Sequence, residues 1–331
     1  MANLEKLLKD YKRTFDPLFL NYIPENPKTL WQPVIYHFQT GGKRWRPFLV
    51  RQIAKIYHFP PSSTQSLEVV VELTHNWTLI HDDIEDKDSF RHGKETVWKK
   101  FGIDRALNSG DAMIALSFKI ISKEKKWIEK EKIFLSESLS ETIENLCGGQ
   151  DMEFAFRKKK GNIKISDYME MVERKTAVLP KFGVLGVTKL GKANKKEIEA
   201  LENFCDNLFP AFQIKDDILN LTGGEEYGKE IGGDIKEGKR TIPIIHLLNH
   251  SSKKEKKEIL SVLLKDREKT TKEEVKKVIS LMKKYGSIDF AVAFNKKLIK
   301  EAKKSLSFLP EVPEKKLLEE ITDWLAEERA F

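Results

Sequence analysis

The pattern of apolar and polar positions predicts helices along almost the whole chain. Apolar residues recur every three or four positions, the spacing that places them on one side of an α-helix. The segments with this pattern are residues 3–20, 48–59, 65–86, 105–120, 133–157, 166–190 and 195–221, followed by amphipathic helices with Lys and Glu faces over 242–331. No segment shows the alternating β-branched runs between turn signals that are typical of strands. The sequence therefore predicts an all-α fold in a single domain spanning residues 1–331.

Loops are predicted where proline, glycine or charge interrupts the helical pattern. Pro24, Pro27 and Pro33 predict a loop with short helical pieces, and residues 123–132 form a charged connection. The stretch 223–241 contains six glycines and several lysines. A mobile polar loop of this type can close over phosphates as a lid.

Two aspartate-rich stretches carry the first candidate chemistry. Residues 80–86 and 214–220 share the pattern Ile-x-Asp-Asp-Ile. On a helix, Asp82 and Asp86 are four residues apart and lie on one face. Crowded carboxylates hold hard divalent cations, and Mg²⁺ bound by few carboxylates keeps positions for water and substrate phosphates. The stretches therefore predict a magnesium site that takes a phosphorylated substrate.

Cationic groups precede the first aspartate stretch. Residues 41–47 read Gly-Gly-Lys-Arg-Trp-Arg-Pro, so that Lys43 and Arg46 can point the same way if a helical turn follows. This segment is either a basic turn before a helix or a phosphate clamp. His75 lies on the same helical stripe as Asp82 and Asp86. It is either a core histidine or part of the site.

Composition narrows the function classes. The 331 residues are 40% hydrophobic and 33% charged, with a net charge of +8. Because the charges of both signs are intermixed, they indicate solvated helix faces rather than a nucleic-acid-binding surface. Cys147 and Cys205 have neither pairing nor metal-ligand spacing. Without an apolar signal region or a long uncharged apolar run, the chain is expected to be cytoplasmic and not inserted in a membrane.

Six motifs, in order along residues 40–245, resemble those of the trans-isoprenyl diphosphate synthases, also called the polyprenyl synthetase family. They are the segment 41–47, the Asp-rich motif at 82–86 followed by Arg91, Gly149-Gln150, Lys175-Thr176, Phe212-Gln213 with Asp216-Asp217, and the loop from Gly228-Lys229 to Gly238-Lys239. The chain after residue 245 matches only as helices.

The resemblance implies an all-α single-domain bundle of antiparallel helices around a deep central cavity, the isoprenoid synthase type I fold, usually as a homodimer. The two Asp-rich motifs would face each other across its mouth. Three Mg²⁺ ions per active site would be bound by Asp82, Asp86 and Asp216. Isopentenyl diphosphate would bind Lys43, Arg46, His75 and, by position, His92. The allylic diphosphate would bind Arg91, Lys175, Thr176, Gln213, Lys229 and Lys239.

The implied reaction explains why these residue types are needed. An allylic carbon–oxygen bond ionises, and diphosphate leaves only if its charge is spread onto metals and cations in a site that excludes water. Isopentenyl diphosphate then attacks the cation and loses a proton, for which the released diphosphate is the base. The expected catalytic set is Asp82, Asp83, Asp86, Arg91, Lys175, Asp216 and Lys229.

Two positions depart from the family pattern. His92 stands where a second Arg usually contacts isopentenyl diphosphate. Histidine lacks the bidentate fork of arginine and is at best partly charged near neutral pH. We therefore expect weaker binding of isopentenyl diphosphate that tightens at lower pH. Asn220 replaces the last Asp of the second motif, but its amide oxygen still accepts hydrogen bonds, so we expect activity to be kept.

Product length is expected to depend on Trp77, five residues before Asp82, because in the family an aromatic residue there limits the growing tail. The strict helical period places Trp77 off the stripe of Asp82. The favoured product is geranylgeranyl diphosphate, followed by farnesyl diphosphate.

Three other functions compete with this interpretation. A class I terpene cyclase would have no use for a second diphosphate site at Lys43, Arg46 and His75. A basic helical protein that binds nucleic acid would leave the paired Asp motifs unexplained. A non-catalytic regulatory subunit of a prenyl diphosphate synthase is left open, and purification alone or with a partner would distinguish it.

Overall fold

The computed structural model describes residues 2–191, 193–223 and 230–328, and helices dominate this part of the chain. The helices are α1 (Ala2–Tyr22), α2 (Lys28–Gln39), α3 (Trp45–Ile56), α4 (Gln65–Glu85), α5 (Val97–Phe101), α6 (Ile103–Lys123), α7 (Glu129–Lys158), α8 (Ile165–Val172), α9 (Val178–Leu190), α10 (Lys195–Thr222), α11 (Gly233–Lys236), α12 (Ile242–His250), α13 (Lys253–Leu263), α14 (Lys272–Lys284), α15 (Ser287–Ser305) and α16 (Pro313–Asp323). Short 3₁₀ turns lie at Pro61–Ser63, Arg267–Lys269 and Leu306–Phe308, and π turns at Glu173–Ala177 and Trp324–Glu328.

The all-α prediction is confirmed, with three local corrections. The proline-rich stretch is not mainly loop, because α2 runs for 12 residues with Pro33 inside it. The expectation of no strand is wrong for one short hairpin, in which β1 (Phe90–Arg91) pairs antiparallel with β2 (Lys94–Glu95). The helix expected over 166–190 changes to π geometry at Glu173–Ala177, between α8 and α9.

The predicted glycine-rich lid can be followed only in part. Residues 224–229 lie outside the described residues. From residue 230 onward the chain is more ordered than a lid loop, because α11 begins after Gly232, which has a left-handed backbone with φ of 75°. A Cβ at Gly232 would come within 2.3 Å of Val275 Cγ1. Glycine is therefore required here for both backbone and space.

By its internal contacts the chain divides into two compact units. Unit 1 contains Met1–Glu141, Leu179–Ile198 and Pro310–Leu318, and unit 2 contains Thr142–Val178, Glu199–Leu309 and Glu319–Phe331. The first Asp-rich motif belongs to unit 1 and the second to unit 2. The single domain over residues 1–331 stays a prediction.

Helix α4 is the centre of unit 1. Its residues Leu67, Val69, Val70, Val71 and Leu73 are fully buried, so the helix is buried around most of its circumference, as expected for a core helix. Gly110 of α6 allows close approach to α4, because a Cβ there would lie 2.3 Å from the Nε2 of His81. The last turn of α4 is therefore held against α6.

A buried polar network fixes α3 against α4 and α1. Arg51 of α3 donates from Nε and Nη2 to the two carboxylate oxygens of Glu68 on α4, at 2.6 and 2.8 Å. Tyr11 of α1 donates to the same carboxylate at 2.8 Å. Bidentate charge-assisted bonds of this kind fix orientation as well as distance. The network sets the register in which Arg46 on α3 meets His75 on α4.

Unit 2 has its own apolar core. Ile242, Ile244, Ile245 and Leu247 of α12 are buried, and they belong to a cluster that includes Ile214 and Ile218 of α10. Tyr168 belongs to the same cluster and donates to Asp217 of the second Asp motif at 2.5 Å, so the cluster packs directly against this motif. None of the helices in the described ranges is long and apolar enough to cross a membrane.

Candidate active site

The first Asp-rich motif occupies the end of α4. The N–H of Asp86 donates to the carbonyl of Asp82 at 2.8 Å, so helical geometry continues to Asp86. Asp82 and Asp86 are half-buried, whereas Asp83 is buried. The predicted i, i+4 relation of Asp82 and Asp86 is thus present, and the two carboxylates share a partly open face.

Asp83 holds the hairpin that carries Arg91. The guanidinium of Arg91 donates from Nε and Nη2 to Oδ1 of Asp83, at 2.9 and 2.7 Å. Burial raises the pKa of Asp83 while Arg91 acts to lower it. His92 and Gly93 make the turn with φ values of 51° and 74°. The expected catalytic role of Asp83 stays a prediction, and its contacts describe a residue that positions Arg91.

The Gly41-Gly42 turn is built around Arg44, which the sequence did not single out. Its guanidinium donates to Asp16 Oδ1 at 2.8 Å, Glu72 Oε1 at 3.2 Å and the carbonyls of Gly41 and Phe38 at 2.6 and 2.7 Å. A Cβ at Gly42 would lie 2.4 Å from Arg44 Nη1. Arg44 is therefore an anchor of the turn, which leaves the neighbouring Lys43 exposed.

Arg46 and His75, two of the residues that the resemblance assigns to isopentenyl diphosphate, lie in contact. Arg46 Nη1 lies 2.9 Å from His75 Nε2. Burial and the charge of Arg46 hold the pKa of His75 well below its usual value. His37, which the sequence analysis also missed, is buried. Its burial and the positive charges of Arg91 and Arg44 lower its pKa to about 3. Unit 1 thus surrounds neutral imidazoles with guanidinium groups, an arrangement suited to an anionic ligand.

Unit 2 contains a pocket that collects most of the residues assigned to the allylic diphosphate. Lys175 and Thr176 come from the π turn, Gln213 from α10, and Lys239 from the segment after α11. Met171, Val172 and Phe156 supply apolar wall. Residues that are far apart in the sequence are therefore assembled into one polar pocket. Lys229, expected in the same set, lies outside the described residues.

A chain of hydrogen bonds orders the polar side of this pocket. The hydroxyl of Thr176 donates to Gln213 Oε1 at 3.1 Å, and Gln213 Nε2 donates to Asp217 Oδ1 at 3.0 Å. The phenol of Tyr168 donates to Asp217 Oδ2 at 2.5 Å. Burial, together with the nearby charge of Asp234, raises the pKa of Asp217 to about 7. Tyr168 and Asp217 thereby fix the amide of Gln213, a role that no local sequence signal indicated.

Acidic side chains neutralise two cations of the pocket, Lys175 and Lys239, and also Arg157 beside Glu153. Glu153 accepts from Lys175 Nζ at 2.9 Å and from Arg157 Nη2. Burial works against the charge of Glu153, but Lys175, Lys239 and Arg157 hold its pKa far below the usual range. Lys239 Nζ lies 3.1 Å from Asp234 and 2.8 Å from Glu237. These ion pairs offset the cost of burying lysine side chains beside apolar residues.

The second Asp-rich motif lies on α10. Asp216 is half-buried, and Asn220 is buried. Asn220 accepts the N–H of Asp234 on its side-chain Oδ1 at 3.1 Å and the N–H of Gly232 on its carbonyl at 2.7 Å. The amide at position 220 therefore does the hydrogen bonding that the sequence expected it to keep, and it supports the start of α11.

Trp77 is buried between α4 and α6. Its indole N–H donates to Nδ1 of His81 at 3.2 Å, and a Cβ on Gly110 would lie 3.2 Å from Trp77 Cδ1. The side chain therefore points toward α6, consistent with its position off the stripe of Asp82.

Magnesium fits the carboxylates of the two motifs by donor type. Within the described ranges no three His, Cys, Asp or Glu side chains are already grouped around a metal position. Magnesium does not need such a cage, because it is commonly held by one or two carboxylates together with water and substrate phosphates. The i, i+4 pair of Asp82 and Asp86 is a donor set of this kind.

Comparison with known proteins defines the class. The Polyprenyl synthetase family model matches residues 27–282. Geranylgeranyl diphosphate synthase of Methanosarcina mazei is 36% identical over 309 residues, covering 90% of each chain. The enzyme of that name from Sulfolobus acidocaldarius is 32% identical, covering 93% of this chain and 92% of its own. The crystal structure of geranylgeranyl pyrophosphate synthetase from Pyrococcus horikoshii superposes with a TM-score of 0.91 at 32% identity, covering 99% of both chains.

The chain belongs to the polyprenyl synthetase family, the trans-isoprenyl diphosphate synthases. The isoprenoid synthase fold expected from the sequence is confirmed by this structural match.

Proposed function

We propose that this protein condenses isopentenyl diphosphate with allylic diphosphates and releases geranylgeranyl diphosphate. The observation that carries the proposal is the pocket of unit 2, which brings Lys175, Thr176, Gln213 and Lys239 together. These are four of the six residues that the resemblance assigned to the allylic diphosphate, the others being Arg91 and Lys229. The similarity to enzymes named geranylgeranyl diphosphate synthase supports the product.

The polar residues hold the allylic diphosphate for ionisation. The ammonium groups of Lys175 and Lys239 donate to its oxygens once these replace Glu153 and Asp234 as partners. Gln213, fixed by Asp217, orients the hydroxyl of Thr176. When the allylic carbon–oxygen bond breaks, the electron pair stays on the diphosphate, whose growing charge these donors stabilise. The apolar wall of Met171 and Val172 keeps water from the cation.

In unit 1, Arg46 and His75, with Lys43, are proposed to hold isopentenyl diphosphate. The double bond of this substrate attacks the allylic cation. The adduct then loses a proton to the released diphosphate, so no side-chain base is required. Arg91, held by Asp83, is proposed to bind the allylic diphosphate.

We propose three magnesium ions per site, with Asp82 and Asp86 as ligands in unit 1 and Asp216 as a ligand in unit 2. When bound, magnesium neutralises charge on the diphosphate and makes it a better leaving group.

Product length is proposed to be set in part by Trp77, whose indole is held by His81 and fills the space beside Gly110. A large, fixed ring favours the geranylgeranyl or a shorter product, with farnesyl diphosphate as the second candidate.

We further propose a cytoplasmic homodimer. Ile103 and Leu107, one turn apart on α6, are 49% and 41% exposed, which supports a covered face on this helix. Light scattering of the purified protein tests the dimer, and a monomer at micromolar concentration would contradict it. Cys147 is exposed and Cys205 is buried, and no disulfide joins the two, which supports a reducing compartment. Cell fractionation tests that location.

A product assay tests the function. Purified protein is incubated with Mg²⁺, labelled isopentenyl diphosphate and dimethylallyl, geranyl or farnesyl diphosphate in turn, and the products are dephosphorylated and sized. We expect geranylgeraniol, and none after chelation of the metal. A folded protein that incorporates no label with any starter would refute the proposal. Activity restored by a partner synthase would identify a regulatory subunit, and conversion of a long prenyl diphosphate alone would identify a cyclase.

A further inference from the structure

Arg240 is a buried cation in the wall of the unit 2 pocket, and no motif drew attention to it. Its exposed fraction is 3%, and it lies in the pocket lining between Lys239 and Thr241. Nη1 donates to the carbonyl of Gly238 at 3.0 Å, and Nη2 donates to the carbonyl of Lys159 at 3.1 Å. Its Nε is buried and makes no hydrogen bond in the part of the chain that the structure describes.

Arg240 differs from the neighbouring cations in its hydrogen-bond partners, which carry no negative charge. Lys175, Lys239 and Arg157 all pair with carboxylates. Arg240 forms no ion pair with any carboxylate in residues 2–191, 193–223 and 230–328, and its partners are two neutral carbonyls. Burial alone lowers its pKa to about 10, so the guanidinium still carries its charge at neutral pH.

A buried charge without a counterion is costly, because the low-dielectric interior replaces water poorly. Two carbonyl dipoles offset only part of that cost. An anion entering the pocket would supply the missing counterion, and its attraction to the guanidinium would be stronger there than in water. The pocket therefore contains one positive charge that its own carboxylates do not neutralise.

We propose that Arg240 strengthens binding of the allylic diphosphate electrostatically, supplying uncompensated positive charge to the unit 2 pocket while its N–H groups hold the Gly238 turn. This inference rests on the proposed function, because it takes the ligand of the pocket to be a diphosphate. Arg240 acts through its charge, and a direct contact with the ligand is not required.

The alternative is a purely structural role, in which Arg240 only clamps the backbone. Gly238 has φ of 69°, and a Cβ there would lie 2.3 Å from the carbonyl oxygen of Leu263, so the turn is tightly packed. Two substitutions separate the roles. Arg240→Lys keeps the positive charge, but its single ammonium nitrogen cannot take the place of the two guanidinium nitrogens that donate to separate carbonyls. Arg240→Gln removes the charge and keeps a donor for one carbonyl.

The experiment measures binding of inorganic pyrophosphate to the full chain by calorimetry, and the KM values for geranyl diphosphate and isopentenyl diphosphate. Lys277→Gln is the matched control, since it also removes one positive charge from unit 2 but at a side chain that is 63% exposed. Thermal unfolding of every variant establishes that it is folded. If Arg240→Gln does not fold, Arg240→Met, which keeps the apolar stem, takes its place.

We expect the neutral variant to weaken pyrophosphate binding and raise the KM for geranyl diphosphate by about tenfold, with Arg240→Lys and Lys277→Gln changed by less than about threefold. The KM for isopentenyl diphosphate should stay unchanged. Equal losses in the Lys and Gln variants would show a clamp only, and unchanged pyrophosphate binding in the Gln variant would overturn the inference. If the wild-type protein forms no prenyl product, the proposed function fails instead. The two failures can be told apart, because calorimetry compares the pyrophosphate affinities of the wild-type protein and the variants without any turnover.

Discussion

Replacing Asp83 with Asn should loosen the hairpin that carries Arg91. The carboxylate of Asp83 is fully buried, and its Oδ1 accepts two bonds from a guanidinium that is 24% exposed. Hydrogen bonds to charged groups contribute about 1.5–3 kcal/mol each, against about 1 kcal/mol for neutral ones. Replacing two charge-assisted bonds with neutral ones should lower the free energy of unfolding by about 3 kcal/mol. Part of this loss is returned, because the buried negative charge of Asp83 and its desolvation cost are removed. Because burial outweighs Arg91 and leaves the pKa of Asp83 raised, this relief is large, and we expect a net loss of at most about 1 kcal/mol in the free energy of unfolding.

The assay combines urea unfolding with steady-state kinetics. Asp83→Asn should unfold at lower urea, and its KM for the allylic diphosphate should rise by about tenfold, because Arg91 is no longer held in one orientation. Asp104→Asn, an exposed carboxylate at the start of α6, is the control and should change neither quantity. If Asp83→Asn keeps both the wild-type urea midpoint and the wild-type KM, then Arg91 is not positioned by Asp83.

Three further changes test other parts of the site. The pKa of His37 is lowered to about 3, so protons bind the unfolded state more readily, and His37 alone should lower stability by about 1.4 kcal/mol for each pH unit between about 6.5 and 3; His37→Gln should reduce the slope measured in unfolding experiments by this amount and leave the part due to His75, whereas the exposed His58→Gln should leave the slope intact. Trp77→Ala should shift the products toward longer prenyl chains in the sizing assay, and an unchanged length would show that the indole is not part of the floor. His92→Arg should lower the KM for isopentenyl diphosphate at pH 8 and reduce its dependence on pH, and equal KM profiles for the two proteins would reject the role given to position 92.

The sequence predicted the helices well because most of them have a buried face with a regular period. Helix α4 was expected over 65–86 and observed at Gln65–Glu85. The hairpin at 90–95 was missed because two-residue strands are too short to show alternation. The three-turn helix α2 was missed because its prolines were taken to break helical structure, although Pro27 lies at its N-cap.

The site was predictable only where residue type and local spacing carry the chemistry. The pairing of Asp82 with Asp86 follows from helical geometry alone. Tyr168 and Asp217 are 49 positions apart, so only the tertiary structure shows that the phenol donates a hydrogen bond to the carboxylate. Arg44 looked like one more cation of a basic turn. Its burial against Asp16 and Glu72, which makes it an anchor rather than a ligand, depends on how α1 and α4 pack.

The π turn at Glu173–Ala177 has a consequence for how this region tolerates changes in length. A π turn holds about one residue more than an α turn, and it commonly marks a functional segment within a helix. Deleting one residue here would let the backbone relax to ordinary α geometry with little loss of hydrogen bonding. The same deletion would rotate the residues on one side of it by about 100° relative to the other. Lys175 and Tyr168 could then no longer line the same pocket, so insertions and deletions in this turn should be selected against for activity rather than for folding.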